Sequence, residues 1–299
     1  MTSERRQTEW SIGVDIGGTF TDVVLWRDGA SAMRREKLLT TPDDPSRAVV
    51  EGIQRALDHQ GISAADLGTV VHGTTLVANA LIERRGVTTG LITTRGFRDV
   101  LGLGREWRYD LYDLTIALPS PLVPRARCFE VSERLFANGS IETPLNDVDV
   151  VAASQALREA GAEAVAVAFL HSYINPAHEQ RAGEILEQEL PGVEISLSSD
   201  VSPELGEYER SSTVAANAYV LPLFAHYVER LEMALQKLGY RRGLLLVLSD
   251  GRCIRAETAR RYPIRLVQSG PAAGAEAARM FGELAGDADV LCFDMGGTT

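Results

Sequence analysis

Two short stretches, one near each end of the chain, carry the residue types that grip a polyphosphate. Gly13-Val14-Asp15-Ile16-Gly17-Gly18-Thr19 follows an apolar run, and Cys292-Phe293-Asp294-Met295-Gly296-Gly297-Thr298 repeats its pattern. Each places a carboxylate at the end of a strand, then two glycines, then hydroxyls. Glycine lets the backbone approach an anion closely and adopt positive φ. Successive N–H groups then line an anion-binding concavity. The hydroxyls of Thr19, Thr21 and Thr298 add donors. A carboxylate beside the phosphates holds Mg²⁺ through waters or orients a nucleophile. A single copy is an ordinary strand-turn-strand pattern. Two copies, each after an apolar strand, favour one shared phosphate site.

Other residues are candidates by position. His72-Gly73-Thr74-Thr75 closes a strand and opens a helix, where α/β proteins place ligands and where helix N-termini hold anions. The plainer alternative is that Thr74 or Thr75 caps the helix and His72 is a hydrogen-bonded core histidine. Arg105, Arg108 and Asp113 fall in an aromatic-rich segment; an arginine there either pairs bidentately with a substrate carboxylate or is simply solvated. Asp22 either joins the phosphate site or caps its turn. Glu207, Glu209 and Arg210 read as a solvated helix face with a Glu207–Arg210 pair, or as a cleft lining. His171 and His178, with Glu179 beside the second, match no metal pattern and read as structural. Gly270-Pro271 either aims N–H groups into a cleft or merely starts a helix.

The elements that must position these residues alternate in type. Strands are expected at Ile12–Ile16, Phe20–Trp26 and Met33–Leu39, with a turn at Asp28-Gly29. Asp44-Pro45 caps a helix that Gly61 ends. Then come a strand at Leu67–Val71, a helix over Thr74–Arg85 and a strand at Thr89–Thr93. From about residue 96 to 145 the pattern weakens, and Pro119, Pro121 and Pro124 suggest an inserted subdomain. Regularity returns with a helix over Asn146–Ala160, a strand at Ala164–Phe169, a helix from Asn175-Pro176 to Pro191 and a strand at Val193–Leu197. Two helices, Glu204–Tyr219 and Pro222–Leu238, are expected next. Strands at Leu244–Leu248 and Ile264–Gln268, a helix from Gly270 to Phe281 and a strand at Asp289–Phe293 complete the series. Such alternation is an α/β layered fold.

Composition narrows the function. With 30 Lys+Arg against 41 Asp+Glu, the net charge is −11, which disfavours broad nucleic-acid binding. The three cysteines, Cys128, Cys253 and Cys292, form no CxxC or Cys/His pattern, so neither a zinc site nor a disulfide framework is expected. No signal peptide is visible, and the apolar runs are too short to span a bilayer. The expected compartment is the cytoplasm.

Taken in order, the motifs resemble the actin-like ATPase superfamily and, within it, the hydantoinase A/5-oxoprolinase family. The resemblance is carried by Gly13–Asp22, by His72–Thr75 with Asn79–Gly86, by Thr93–Asp99 and by Asp110–Leu114. It continues through His171–Tyr173 with Asn175-Pro176, Glu207–Arg210, Asn217–Tyr219 and Ser269–Ala272. It implies an actin-like, ribonuclease H-like α/β fold with a mixed sheet and an inserted subdomain. It also implies an N-terminal domain over 1–200 and the start of a second domain over 201–299, cut off at the second motif. The chain is thus expected to be the N-terminal portion of a longer protein and, alone, to bind nucleotide poorly.

The resemblance implies ATP and Mg²⁺ as cofactors and ATP-dependent opening of a cyclic amide such as 5-oxoproline or a hydantoin. Phosphorylating the amide oxygen makes the carbon open to water, and catalysis of that transfer is mainly positioning and charge neutralisation. It gives catalytic roles to Asp15, Asp294 and His72, with Asp15 beside the metal. It places Gly17, Gly18, Thr19, Thr21, Gly296, Gly297 and Thr298 around the phosphates, and Thr74, Thr75, Asn79, Arg105 and Arg108 on the substrate side. A hydantoinase B-type subunit or domain is the implied partner. The alternatives are a ketone carboxylase subunit of the acetone or acetophenone type, a sugar kinase on the same fold, and a non-catalytic module that keeps the fold.

Overall fold

A computed structural model describes residues 9–27, 33–41, 43–107, 110, 112–113, 115–117 and 119–295. The Asp28-Gly29 turn, Arg108 and Gly296–Thr298 lie outside the described residues. The chain divides into two compact units. One comprises 1–85 and 223–299, the other 86–222.

The first unit opens with β1 (Trp10–Ile16), β2 (Phe20–Arg27), β3 (Arg34–Leu39), α1 (Pro45–Gln60), β4 (Leu67–Thr74) and α2 (Leu76–Ile82). In the second unit follow β5 (Thr89–Thr94), α3 (Val100–Leu103), β6 (Cys128–Val131), β7 (Arg134–Leu135) and β8 (Ile141–Thr143). After these come α4 (Asp147–Glu159), β9 (Ala164–Ala168), α5 (Ala177–Glu189), β10 (Glu194–Leu197) and α6 (Ser198–Val201). Helix α7 (Glu207–Leu238) passes from the second unit into the first, which β11 (Leu244–Val247), β12 (Cys253–Arg255), α8 (Ala256–Arg261) and α9 (Ser269–Ala285) complete.

The first unit is built on a six-stranded sheet in the order β12-β11-β4-β1-β2-β3. Strands β1, β2 and β3 are antiparallel neighbours, whereas β4 and β11 run parallel to β1. This is the mixed sheet expected of the actin-like fold. Side chains alternate across the sheet, and the register fixes which ones share a face. Val14 is level with Val23 and His72, and Ile16 with Thr21 and Thr74. That face is buried. Asp15 is level with Asp22 and Gly73 and looks out from the other face.

Helix α1 covers the buried face with Ala48, Val49, Ile53, Ala56 and Leu57. Asp44 caps it by accepting from the Ser46 N–H at 3.2 Å and the Ser46 hydroxyl at 2.6 Å. Gly61 ends it at φ 70°, the left-handed region glycine favours.

The second unit holds an all-parallel sheet, β10-β9-β5-β6, and the small hairpin β7-β8. Strand β9 is buried along its whole length, as a parallel strand covered on both faces must be. Val150, Leu157, Ile185 and Leu186 of α4 and α5 pack against Ile92, Val165 and Val167.

Several expectations are corrected. The stretch from 96 to 145 is not simply irregular, because β6 pairs with β5 as an edge of the main sheet. The two helices expected over 204–238 are one continuous helix, with Pro222 inside it. A proline removes a single intrahelical bond at a cost of about 3 kcal/mol. Buried Val220 and Leu221 before it and Phe224 and Tyr227 after it hold the helix together. Ile264–Gln268 is no strand: Pro263–Leu266 is a 3₁₀ turn, and Pro263 has no N–H to give a ladder. Asp289–Phe293 has the composition of a strand but pairs with none among the described residues.

Candidate functional site

The site grows from the end of β1. The Gly17 N–H closes the β1–β2 turn on the Phe20 carbonyl at 2.9 Å. Gly17 therefore shapes the loop, and its N–H is not free for a phosphate. Gly18 and Thr19 are exposed, and their N–H groups carry no hydrogen bond among the described residues. A threonine pair braces this loop from below. Thr21 is completely buried, its hydroxyl 3.0 Å from that of Thr40, which in turn donates to the Gly17 carbonyl at 2.9 Å. Thr21 was expected among the phosphate ligands; parity puts it on the core face, where it supports the loop. Thr40, which carries no motif in the sequence, reaches the site only because β3 lies beside β2.

Asp15 lies on the open face. Solvent reaches it, yet the surrounding chain crowds its carboxyl. Partial burial, then the charges of Asp22 and Asp294, raise its pKa above the usual aspartate value, with Lys37 opposing. Asp22 is paired with Lys37, Nζ to Oδ2 at 2.8 Å. Gly73 leaves the space beside Asp15 open, for a Cβ there would stand 3.4 Å from Asp15 Oδ1. The charge of Asp294, the carboxylate of the second motif, is among those that raise the Asp15 pKa. Among the described residues no three His, Cys, Asp or Glu side chains form a metal cage. An arrangement of two hard oxygen donors suits a hydrated divalent cation that takes its other ligands from phosphate and water.

His72 does not join Asp15. The two are one residue out of step across β1 and β4, so the imidazole points to the opposite face. It is fully buried, its Nε2 2.7 Å from the Tyr227 hydroxyl, and its Nδ1 has no partner of good geometry. Burial lowers its pKa to about 4, slightly opposed by the Val14 backbone, and raises that of Tyr227. His72 is thus neutral, its Nε2 sharing a hydrogen bond with the protonated Tyr227 hydroxyl. The expectation of a catalytic role is replaced by the core reading.

Thr74 and Thr75 also serve the framework. The Thr74 hydroxyl accepts the Leu76 N–H at 3.1 Å, a local turn just before α2. Thr75 gives both its hydroxyl, at 3.1 Å, and its N–H, at 3.2 Å, to the Ile16 carbonyl. Asn79 Nδ2 donates to the Thr75 hydroxyl at 3.2 Å, and Asn79 Oδ1 is buried without a partner. Ser269, at the start of α9, accepts from the Thr74 N–H at 3.3 Å and donates to the Thr74 carbonyl at 2.8 Å.

Arg105 belongs to the second unit. It donates from Nε to Glu209 at 2.5 Å and lies 5.5 Å from the Trp107 ring. Arg210 was read as part of a solvated face with Glu207, but it is buried. Its Nε donates to the Ser198 hydroxyl at 3.0 Å and its Nη1 to the Glu204 carbonyl at 3.3 Å. Beneath it, fully buried Glu179 accepts from the Phe169 N–H at 2.8 Å, the Ser198 hydroxyl at 2.6 Å and the Ser199 N–H at 2.8 Å. His178 Nδ1 is 2.8 Å from buried Glu133. The structural reading of His178 holds.

Comparison with known proteins follows the same lines. The profile of the hydantoinase/oxoprolinase N-terminal region matches residues 11–190, and that of hydantoinase/oxoprolinase matches 210–299. Caprolactamase subunit alpha of Pseudomonas jessenii is 34% identical over 97% of this chain and 42% of its own length. Its solved structure, described as an ATP-dependent caprolactamase, superposes with a TM-score of 0.83 at 33% identity, over 92% of this chain and 41% of that one. The nucleotide-free structure of acetone carboxylase superposes with a TM-score of 0.84 at 27% identity, over 92% and 41%. 5-Oxoprolinase 1 of Arabidopsis thaliana is 32% identical over 96% of this chain and 25% of its own length. The chain therefore spans less than half the length of these relatives, and its mixed α/β fold is theirs. With the motifs, the sheet and the profiles in agreement, the chain belongs to the hydantoinase/oxoprolinase family.

Proposed function

We propose that this chain is the nucleotide-gripping part of an ATP-dependent cyclic amide hydrolase. The observation that carries the reading is Asp15, exposed at the end of β1 beside a glycine turn whose Gly18 and Thr19 N–H groups carry no hydrogen bond among the described residues; the Asp294 charge, which helps raise the Asp15 pKa, supports it. Two carboxylates that repel each other disfavour the empty, doubly charged site, and a divalent cation relieves them. Asp15 and Asp294 would hold Mg²⁺ or its waters, and Gly18 and Thr19 would hold a phosphate. Gly17 shapes the first loop, and Gly296, Gly297 and Thr298, which lie outside the described residues, are proposed to line the phosphates from the second motif. Bound Mg·ATP supplies the phosphoryl group and its charge neutralisation.

The chain's own residues supply position: the Thr21–Thr40 brace below the turn and Gly73, which leaves room at Asp15. The amide oxygen would take the phosphoryl group, water would add to the carbon, and the C–N bond would break to free the amine and leave an acyl phosphate, which a second water would hydrolyse to carboxylate and phosphate. The naming of a relative as subunit alpha supports a partner subunit for this protein, which we take to be of the hydantoinase B type. Asn79, Arg105 and Arg108 remain the proposed substrate-side residues.

The test is ADP release by the protein with its partner subunit, supplied in turn with 5-oxoproline, a hydantoin, a lactam, and a ketone with bicarbonate. Release with a cyclic amide is expected. Release only with a ketone and bicarbonate would move the protein to the carboxylase branch, and ATP binding without release on any of them would make it a binding module.

A further inference from the structure

Asp294 lies on the segment that follows α9, a helix that carries the chain away from the end of β4 before that segment returns along it. Helix α9 begins at Ser269, beside the end of β4, and turns at Gly286 with φ 80°. The returning segment lies along the helix. The Asp287 N–H bonds to the Gly282 carbonyl at 2.9 Å, and Cys292 Sγ is 3.8 Å from the Gly274 carbonyl. Gly282 makes room for it, because a Cβ there would stand 2.3 Å from Val290 Cγ2. Where Asp294 arrives therefore depends on where α9 starts. That start is fixed by the fully buried Ser269 hydroxyl, which grips both the N–H and the carbonyl of Thr74. The next residue, Thr75, grips the Ile16 carbonyl with its hydroxyl and its N–H. Ile16 adjoins Asp15.

We infer that Ser269 and Thr75 are positioning residues that join the β1–β2 turn, the end of β4 and the start of α9 into one frame, and so set the separation of Asp15 and Asp294. Neither need touch the cation or the nucleotide. This deepens the proposed function and rests on its cation site, but not on any particular substrate.

The experiment measures Mn²⁺ binding by electron paramagnetic resonance, without nucleotide, and binding of a fluorescent ATP analogue separately. Ser269→Ala and Thr75→Val are expected to weaken Mn²⁺ binding about three- to tenfold, the worth of one net hydrogen bond. Thr75→Ser, which keeps the hydroxyl, is expected to restore it. Gly282→Val, which unseats the return segment without touching either hydroxyl, is expected to weaken it likewise. In an Asp294→Asn background, Ser269→Ala is expected to add no further loss, because the positioned group is already gone. A merely structural role would lower Tm and leave Mn²⁺ binding unchanged, or act equally in both backgrounds; either result overturns the inference, as does wild-type protein that binds no Mn²⁺. Full-length wild-type protein, with its partner subunit, that binds Mn²⁺ but no ATP analogue would overturn the nucleotide reading, while the same variants still decide the frame.

Discussion

Two buried or crowded titratable residues show how this chain treats charge. His72 is neutral in the fold, with a pKa of about 4 against 6.5 for a free imidazole. Between those values the unfolded chain binds more protons than the native one, so stability is full above about pH 6.5 and falls as pH drops towards 4. The loss amounts to about 3 kcal/mol for a group this deeply buried. Chemical denaturation at several pH values across that window is expected to show the slope, and His72→Gln to flatten it whatever it does to stability at pH 7. Asp15 behaves in the opposite sense. Its pKa is raised, so its charge destabilises the fold at neutral pH, and that penalty eases as pH falls through the native pKa. Asp15→Asn is therefore expected to raise Tm by about 1–2 °C while abolishing cation-dependent ATP binding, both measurable on one preparation. A stabilising substitution that removes function is the signature of a strained functional site.

Among elements, the ends of strands do the most. In the second unit β9 ends at a buried carboxylate, Glu179, which ties Phe169 at the strand end to Ser198 and Ser199 at the start of α6. Burial lowers the pKa of Arg210 above it, and the charge of Glu179 offsets part of that shift. Glu179→Ala leaves the two N–H groups and the guanidinium without their acceptor or counter-charge, and is expected to cost about 3–5 kcal/mol, read by urea denaturation. The strand ends of the first unit are tied by neutral hydroxyls instead, through Thr40, Thr75 and Ser269. The continuous α7 shows a limit of local rules. Pro222 signals a break, but apolar packing on either side outweighs the bond it removes.

At the scale of the molecule, each unit has its own sheet and core, and the boundary falls within α7 between Pro222 and Leu223. Separate cores are expected to respond separately. Hydrogen exchange on Glu179→Ala should show protection lost in β5, β9 and β10 and retained in β1 and β4; equal loss in both sheets would show that they open as one. The end of the described chain is unusually apolar at its surface, with Leu291, Phe293 and Met295 all more than 80% exposed. A strand forms only when a neighbour takes its backbone groups, and the apolar run at Asp289–Phe293 has no such neighbour among the described residues. No helix among the described residues is long and apolar enough to cross a membrane.

The sequence by itself determined much of this. The order of strands and helices up to β5, the cap at Asp44, the stop at Gly61 and the glycine turn after Asp15 follow from local chemistry, which a few adjacent residues decide. The family followed from the order of the motifs. What only the tertiary structure decided was which face each residue looks from. His72 and Gly73 are neighbours in the chain, but the pairing of β4 with β1 turns one into the core and sets the other beside Asp15. Thr40 and Ser269 became part of the site because β3 lies against β2 and α9 starts against β4. Such placements arise from pairings between distant segments, and a strand's alternation reveals that it has two faces without revealing which of them will be buried.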